Sequence, residues 1–426
     1  MVARHCAAAF LATRIWATMA RMGANQEERE VYIEKLVPGG DGLGTSQPRT
    51  GSPPDTAVPR ERIVFVPFVL QGERVRISVQ ERRNGYDRGE LLEILSASPE
   101  RVQPPCPLYG NCGGCNLQHM SYEEQLRQKI DIVIEAFRRT ARIELPTVSI
   151  VPSPPFEYRN RVQFHRTASG TLGFMARRSN RVVEVNRCAI AVPAINRFIE
   201  VGEDTTHNAG RFVVFAGDED IAVEGDGKDV AVSVAGKTLH VAATSFAQSN
   251  TEMVRKLVPH VCGGLTGRTA ADLYGGSGLF STFLRETFGD VHLVEADRTA
   301  VRLARRNFER NHVVNEGRLH LHAQTVELWI RGSGRNIVFD SVIVDPPRQG
   351  LSGEVRRFLA AKRPSQLVYV SCDPVTLARD ASYLTASGFA LTECLLFDFY
   401  PQTSHIEAVV KFRVGPDSSR GSGGSG

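Results

Sequence analysis

The stretch RTAADLYGGSGLFSTFLRETFGDVHLVE, residues 268–295, decides the fold. An apolar run ends at Leu273, glycines follow at once, a short helical stretch intervenes, and a second apolar run closes on Glu295. That is strand, tight turn, helix and strand, the unit of a parallel sheet. The rhythm continues through RLHLH (318–322), DSVIVD (340–345), QLVYVS (366–371), ALTECLLFD (390–398) and HIEAVVKF (405–412), with helical stretches such as TAVRLARRNFERN (299–311) and PVTLARDASYL (374–384) between the earlier ones. The alternation predicts a mostly parallel sheet covered by helices on both faces, which takes its ligands at the carboxyl ends of the strands.

Working outward, a chain of 426 residues is too long for one core. Hydrophobic residues are 42% and charged residues 23%, a folded composition without overall bias to disorder. The formal net charge of +4 permits a polyanionic partner without identifying one. From Val31, apolar runs punctuated by glycine (VYIEKLVPGGDGLG, then residues 63–95) read as a small β-barrel carrying Arg62, Arg74, Arg76, Arg82, Arg83 and Arg88. These arginines are either a solvated face or phosphate contacts. The segment at 45–60, rich in Pro, Ser, Thr and Gly, reads as a loop. Beyond the boundary SPERVQPPC, SYEEQLRQKIDIVIEAFRRT (121–140) is helical, with Leu126, Ile130, Val133 and Phe137 predicted to pack inward. A turn-rich α+β region follows from about 147 to 246, and SSRGSGGSG ends the chain as a disordered tail.

No run of about 18 apolar residues is present, so no transmembrane helix is expected. Residues 1–30 superficially resemble a targeting segment, but Arg14 interrupts the apolar run, and a dispensable or misassigned leader is the preferred reading. Eight cysteines in a long chain, three of them between Cys106 and Cys115, point to metal ligands or catalysis in a reducing cytoplasm.

The chemistry concentrates in four places. DLYGGSGLF (272–280) turns from strand to helix on glycine, and Glu295 ends the next strand, where an acid accepts hydrogen bonds from ribose hydroxyls. The pair suits an adenine dinucleotide or S-adenosylmethionine. VIVDPPRQG (342–350) delivers Asp345 to the same crevice, with two prolines fixing the loop after it. YVSCDPVTLARD (369–380) puts Cys372 just before a helix whose N-terminal amides are expected to favour a thiolate. A buried cysteine is more often a small hydrophobe, but a thiol beside a methyl donor has a specific use. Carbon 5 of uracil becomes nucleophilic once a thiolate has added at carbon 6. Glu407, in SHIEAVVKF (404–412), could then remove the carbon-5 proton. In CPLYGNCGGCNLQHM (106–120), Cys106, Cys112 and Cys115 are separated by five and two residues, and Cys188 stands apart. Four thiolates suit zinc or an iron-sulfur cluster, and three plus a distant fourth suits [4Fe-4S] better than two close pairs would.

These motifs, spread over about residues 31–413, resemble the RNA uracil-5-methyltransferase family, most closely its 23S ribosomal RNA branch. The resemblance implies an N-terminal TRAM/OB-like β-barrel that binds RNA (31–98), a central α+β domain with an iron-sulfur site (99–246) and a C-terminal α/β class I, Rossmann-like methyltransferase domain (247–413). It implies Cys372 as nucleophile and Glu407 as base. Gln248 in SFAQSN (245–250), Tyr274, Glu295 and Asp345 match the positions around S-adenosyl-L-methionine and the target base, and Cys106, Cys112, Cys115 and Cys188 match the [4Fe-4S] ligands. Leu279 departs from the pattern, standing where relatives carry Asn, and Gln324 is a lesser candidate on the adenine side. The implied partner is RNA, 23S rRNA before tRNA, handled by a monomer in the cytoplasm. The rival of another class is an iron-sulfur RNA-binding or redox protein without catalysis.

Overall fold

The computed structural model describes residues 27–47, 62–202, 209–311 and 318–414, which fall into two compact units meeting in sequence after Val102. The readings of residues 1–26 as leader, of the 48–60 part of the loop and of the tail from 415 lie outside the described residues.

The first unit is a closed barrel of β1 (Glu28–Leu36), β2 (Gly42–Gln47), β3 (Ile63–Val66), β4 (Arg74–Arg82) and β5 (Tyr86–Ser96), in the order β1-β2-β3-β5-β4. It begins at Glu28 rather than Val31. Alternation along the strands turns Val31, Ile33, Val64, Val66, Val75 and Ile77 into its core. Each of the six arginines has a carboxylate partner: Arg62 with buried Asp87, Arg74 with Glu30, Arg76 with Glu93, Arg82 with Glu27, Arg83 with Glu81, and Arg88 with Asp41 and Glu81.

The second unit opens with α1 (Tyr122–Ala136), capped by Ser121 and ending in a π turn at Phe137–Ala141. Its buried face is only partly the expected one. Gln125, Gln128 and Lys129 are buried with Val133 and Phe137, whereas Leu126 and Ile130 are half-buried. Gln125 and Lys129 go inward because their partners lie far along the chain, in the segment 398–402, while Gln128 pairs within the helix to Glu124.

Next come β6 (Ser149–Val151), β7 (Arg161–Arg166), β8 (Leu172–Met175), β9 (Val182–Glu184), α2 (Pro193–Val201), β10 (Gly210–Ala216) and β11 (Ile221–Val223). Five of these strands form a sheet in the order β11-β10-β7-β8-β9, with Val162, Phe164, Phe212 and Val214 packed on Ile195 and Phe198 of α2. A hairpin of β12 (Asp229–Val234) and β13 (Lys237–Ala242) follows.

The rest is a wound sheet: α3 (Thr251–Cys262), β14 (Gly267–Leu273), α4 (Ser281–Leu284), β15 (Phe288–Glu295), α5 (Arg298–Arg310), β16 (Arg318–Ala323), α6 (Val326–Arg331), β17 (Ser341–Val344), α7 (Gly353–Lys362), β18 (Gln366–Ser371), α8 (Pro374–Ala386), β19 (Phe389–Phe397) and β20 (Ala408–Val414). Its order is β16-β15-β14-β17-β18-β20-β19-β6. The first five strands are parallel, and β20 enters antiparallel between β18 and β19. This is the class I methyltransferase sheet plus one strand. The added strand, β6, comes from within the stretch 99–246 and pairs with β19, so that stretch and the sheet share one compact unit. Val258 and Leu257 of α3 pack on one face with Ala270, Ile343 and Val368, while Val301 and Ala304 of α5 cover Leu293 and Leu321 elsewhere.

Candidate active site and cysteine cavity

Parallel strands deliver their last residues to one edge of the sheet, and the antiparallel β20 delivers its first. Tyr274 therefore follows β14, Glu295 ends β15, Asp345 follows β17, Cys372 follows β18 and Glu407 precedes β20. All five, with Gln248, line one cavity of about 700 Å³, within the size range of small-molecule sites.

The glycine turn is shaped for close approach. Tyr274 holds a left-handed φ of 64° despite its side chain, and Gly276 (φ 53°) and Gly278 (φ 83°) continue the turn. Below it, Asp272 accepts the Ser281 amide at 3.0 Å and its hydroxyl at 2.6 Å through Oδ2, while its buried Oδ1 has no partner among the described residues. Glu295 accepts the amides of Gly276 at 3.1 Å and Asp297 at 2.8 Å, which fixes its carboxylate at the strand end. The Tyr400 hydroxyl donates to Gln248 Oε1 at 3.5 Å.

Electrostatically the edge crowds buried acids whose ionisation burial disfavours. Burial, then Asp272, pushes the Asp345 carboxyl up to about 7. Burial pushes Asp272 up to about 6. Glu407, 3% exposed, is raised well above the ordinary carboxylate range by burial and then by Asp345. A cationic ligand offsets such crowding, so this acid set fits a sulfonium.

The Cys372 thiol is also pushed up, to about 11, by burial first and then by Glu407 and Asp345, with Arg348 opposing. The push on Cys372 thus runs against the thiolate expected at the start of α8. The first-turn amides of Val375 and Thr376 are taken by the Asp373 cap at 3.0 and 2.8 Å, which leaves burial, with the neighbouring acids behind it, to set the direction.

Four lining residues were not read from the sequence. Arg348 and His405 stand in the motifs read for Asp345 and Glu407 without being singled out there, while Arg159 and Tyr400 come from segments that carry none of the four motifs. His405 is pushed down to about 4 by burial and then by Arg348 and Arg159, so it is neutral at physiological pH. Phe246, 67% exposed, adds an aromatic surface to the lining. Leu279 lines the cavity, whereas Gln324 lies outside its lining.

Cys106, Cys112, Cys115 and Cys188 line a second cavity of about 370 Å³, rimmed by Arg159, Arg177, Arg178 and Arg187. Among the described residues no group of three or more His, Cys, Asp or Glu side chains converges to hold a single metal ion. Backbone amides do point at the sulfurs: Gly114 donates to Cys112 at 3.4 Å, and Ile190 and Ala191 donate to Cys188. Burial raises Cys112 and Cys188 and pushes Cys115 up to about 12, with the other thiols adding to it. Four sulfurs around a cavity, with N–H donors and a cationic rim, fit a polynuclear anionic group.

The fold and the carboxyl-edge cavity define a class I, S-adenosylmethionine-dependent methyltransferase. The profile of the tRNA (uracil-5-)-methyltransferase family matches residues 210–413. Over 379 residues the chain is 34% identical to an uncharacterized RNA methyltransferase of Treponema denticola, covering 83% of this chain and 94% of that one. It is 29% identical over 412 residues to the 23S rRNA (uracil(1939)-C(5))-methyltransferase RlmD of Chromohalobacter salexigens, covering 83% and 85%. Among solved structures it is similar to the Pyrococcus abyssi tRNA (uracil-54, C5)-methyltransferase in complex with S-adenosyl-L-homocysteine, at 25% identity and a TM-score of 0.66, over 90% of this chain and 99% of that one. The chain belongs to the RNA (uracil-5-)-methyltransferase family. It is an enzyme that methylates carbon 5 of uracil in RNA, which removes the non-catalytic rival. No helix among the described residues is long and apolar enough to cross a membrane.

Proposed function

We propose that the chain forms 5-methyluridine in 23S ribosomal RNA, with Cys372 as nucleophile and Glu407 as base. The observation that carries this is the gathering of Cys372, Glu407 and Asp345 in one cavity with the glycine turn. S-adenosylmethionine supplies an electrophilic methyl group, and Glu295, Asp345, Tyr274 and Gln248 are the residues assigned to holding it and the base. With its proton lost to solvent, the Cys372 sulfur bonds to carbon 6, and the electron pair this places at carbon 5 would take the methyl group as its bond to the sulfonium breaks and leaves a neutral thioether. Glu407, acting as its carboxylate, then accepts the carbon-5 proton. The electrons of that C–H bond restore the ring double bond as the carbon–sulfur bond breaks, and the thiolate leaves. The target uridine must be unstacked to reach the thiol, so loops and bulges are the substrate.

We assign 31–98 to RNA binding, 99–246 to an iron-sulfur module and 247–413 to catalysis. Cys106, Cys112, Cys115 and Cys188 would hold a [4Fe-4S] cluster, a role supported by the amide donors to Cys112 and Cys188 and the cavity's width. The protein would act as a monomer in the cytoplasm. The barrel and the cysteine set, together with the likeness to RlmD, favour ribosomal RNA. A second reading, transfer RNA, is favoured by the near-complete coverage of the P. abyssi enzyme. Mapping 5-methyluridine in RNA from cells lacking the gene decides. Loss of a site in 23S rRNA supports the first reading, and loss confined to tRNA replaces it with the second.

A further inference from the structure

The segment Asp398–Glu407 carries Tyr400, His405 and Glu407 to the cavity, and it hangs on the residues that directly follow Cys115. The Gln402 carbonyl accepts the amides of both Asn116 at 3.1 Å and Leu117 at 3.0 Å. Asn116 also clasps Ser404. Its Nδ2 donates to the hydroxyl at 3.0 Å and its Oδ1 accepts the amide at 2.9 Å. Gln125 on α1 repeats the device, accepting the Gln402 amide at 2.8 Å and donating to Gln402 Oε1 at 3.0 Å. The Tyr158 hydroxyl donates to Pro401 at 2.8 Å, and Lys129 reaches Asp398 at 2.6 Å and the Tyr400 carbonyl at 3.1 Å. Toward the cysteines, Cys106 donates its amide to Gln118 Oε1 at 3.2 Å.

Gln402 is 4% exposed and sits at a left-handed φ of 66°. A non-glycine residue stays there only when its surroundings over-determine it. Buried amides left unpaired are costly, so the segment has no cheap second path. The cysteine loop and the loop of the base are one hydrogen-bonded body.

We propose that Asn116, seconded by Gln125, is a positioning residue for removal of the carbon-5 proton, tying the Glu407 loop to the order of the cysteine segment. This rests on the reading of Glu407 as base. Asn116 touches no substrate in this account. It acts through Ser404 and Gln402, so its loss should slow collapse of the methylated adduct before it slows methyl transfer.

The test uses the full-length, cysteine-intact protein and its Asn116→Ala, Asn116→Asp and Glu407→Gln variants, with ordinary RNA. Asn116→Ala should raise amide hydrogen exchange across 398–407 and lower kcat about tenfold, the scale of one lost neutral hydrogen-bond pair. S-adenosylmethionine affinity should stay within about twofold. Denaturation-resistant, methylated enzyme–RNA adduct should build up at steady state. Asn116→Asp, which keeps the acceptor for Ser404, should restore part of both. A kcat loss without adduct, or unchanged exchange, overturns the proposal. Adduct in Glu407→Gln but none in Asn116→Ala sinks the clamp alone, whereas no adduct in Glu407→Gln removes Glu407 as base. Cys115→Ser, or Cys112→Ser should the first not fold, should also raise exchange across 398–407, and unchanged exchange there uncouples the two loops.

Discussion

Cys372 and Glu407 each lie one residue beyond the Ser371–Ala408 pair that ends the antiparallel β18–β20 ladder, and both line one cavity. The end of the ladder therefore brings nucleophile and base to the same edge, and the clamped 398–407 loop leads into Glu407. Glu407 is close enough to raise the Cys372 thiol, and two groups side by side in one cavity can address the two adjacent ring carbons of one base.

Cys372→Ala should abolish turnover by several orders of magnitude while S-adenosylmethionine binding stays near normal, because the thiol bonds the RNA base. With 5-fluorouridine RNA the unaltered enzyme should form a denaturation-resistant adduct, since fluorine does not leave as a proton does. Near-normal methylation by Cys372→Ala would end the covalent mechanism.

The acids set the pH profile. With Asp345 at about 7 and Cys372 at about 11 in the free enzyme, the ionised forms grow as pH rises, so kcat/KM should climb through and above pH 7. Arg348 lowers the Cys372 value, so Arg348→Met should move the rising limb to higher pH. Stability runs the other way. Asp345 is raised from 3.8 to about 7, so its contribution is full at low pH and is lost as pH rises through that window. Asp345→Asn should consequently melt a few degrees higher than the unaltered enzyme above pH 7 while losing activity, a gain on the order of 1–3 kcal/mol. A lower melting temperature for Asp345→Asn at that pH contradicts the buried-acid account.

Protein purified without oxygen should be brown and carry about four irons per chain, and Cys115→Ser should lower the iron content. The readouts are the visible spectrum and metal analysis. Colourless, zinc-loaded and fully active protein refutes the cluster.

The barrel arginines test a weaker link. All six are ion-paired, but the partners of Arg82 and Arg83 are surface carboxylates, and such pairs exchange readily for phosphate. Arg82→Ala and Arg83→Ala should each reduce the slope of log affinity against log salt by about one if they meet the RNA backbone. An unchanged slope leaves the barrel a structural part.

The reading of the sheet from residues 268–412 succeeded because strand ends are local events: an apolar run stops, and the next residue lies at the edge. Tyr274, Glu295, Asp345 and Cys372 are all such residues, and Glu407 begins the one strand that runs back. What stayed hidden depends on partners far apart in sequence. Gln125 and Lys129 look like the outer face of an amphipathic helix until Gln402 and Asp398 are folded onto them, 277 and 269 residues away. The same holds for Arg159, which lines both the catalytic and the cysteine cavity. The upward push on the Cys372 thiol was also beyond reach, because a helix start argues for a thiolate and only burial in the folded site, followed by the nearby acids, opposes it.

Glu407→Gln separates the order of events at the uracil. Glu407 sits just before β20, and its carbonyl accepts the Phe397 amide at 2.8 Å, so the backbone position does not depend on the side chain's charge. Gln has the shape of protonated Glu, which is the form that burial favours in the free site. Cofactor binding and methyl transfer should therefore survive the substitution. Proton removal should not, because an amide has no basic oxygen of comparable strength. The variant should transfer at most one methyl per active site and accumulate as enzyme covalently joined to methylated RNA, visible on a denaturing gel, whereas Cys372→Ala shows neither product nor adduct. Multiple turnovers at close to the normal rate would show that another base takes the proton, and Asp345 would then be the first residue to examine, since it is the other raised acid beside Cys372.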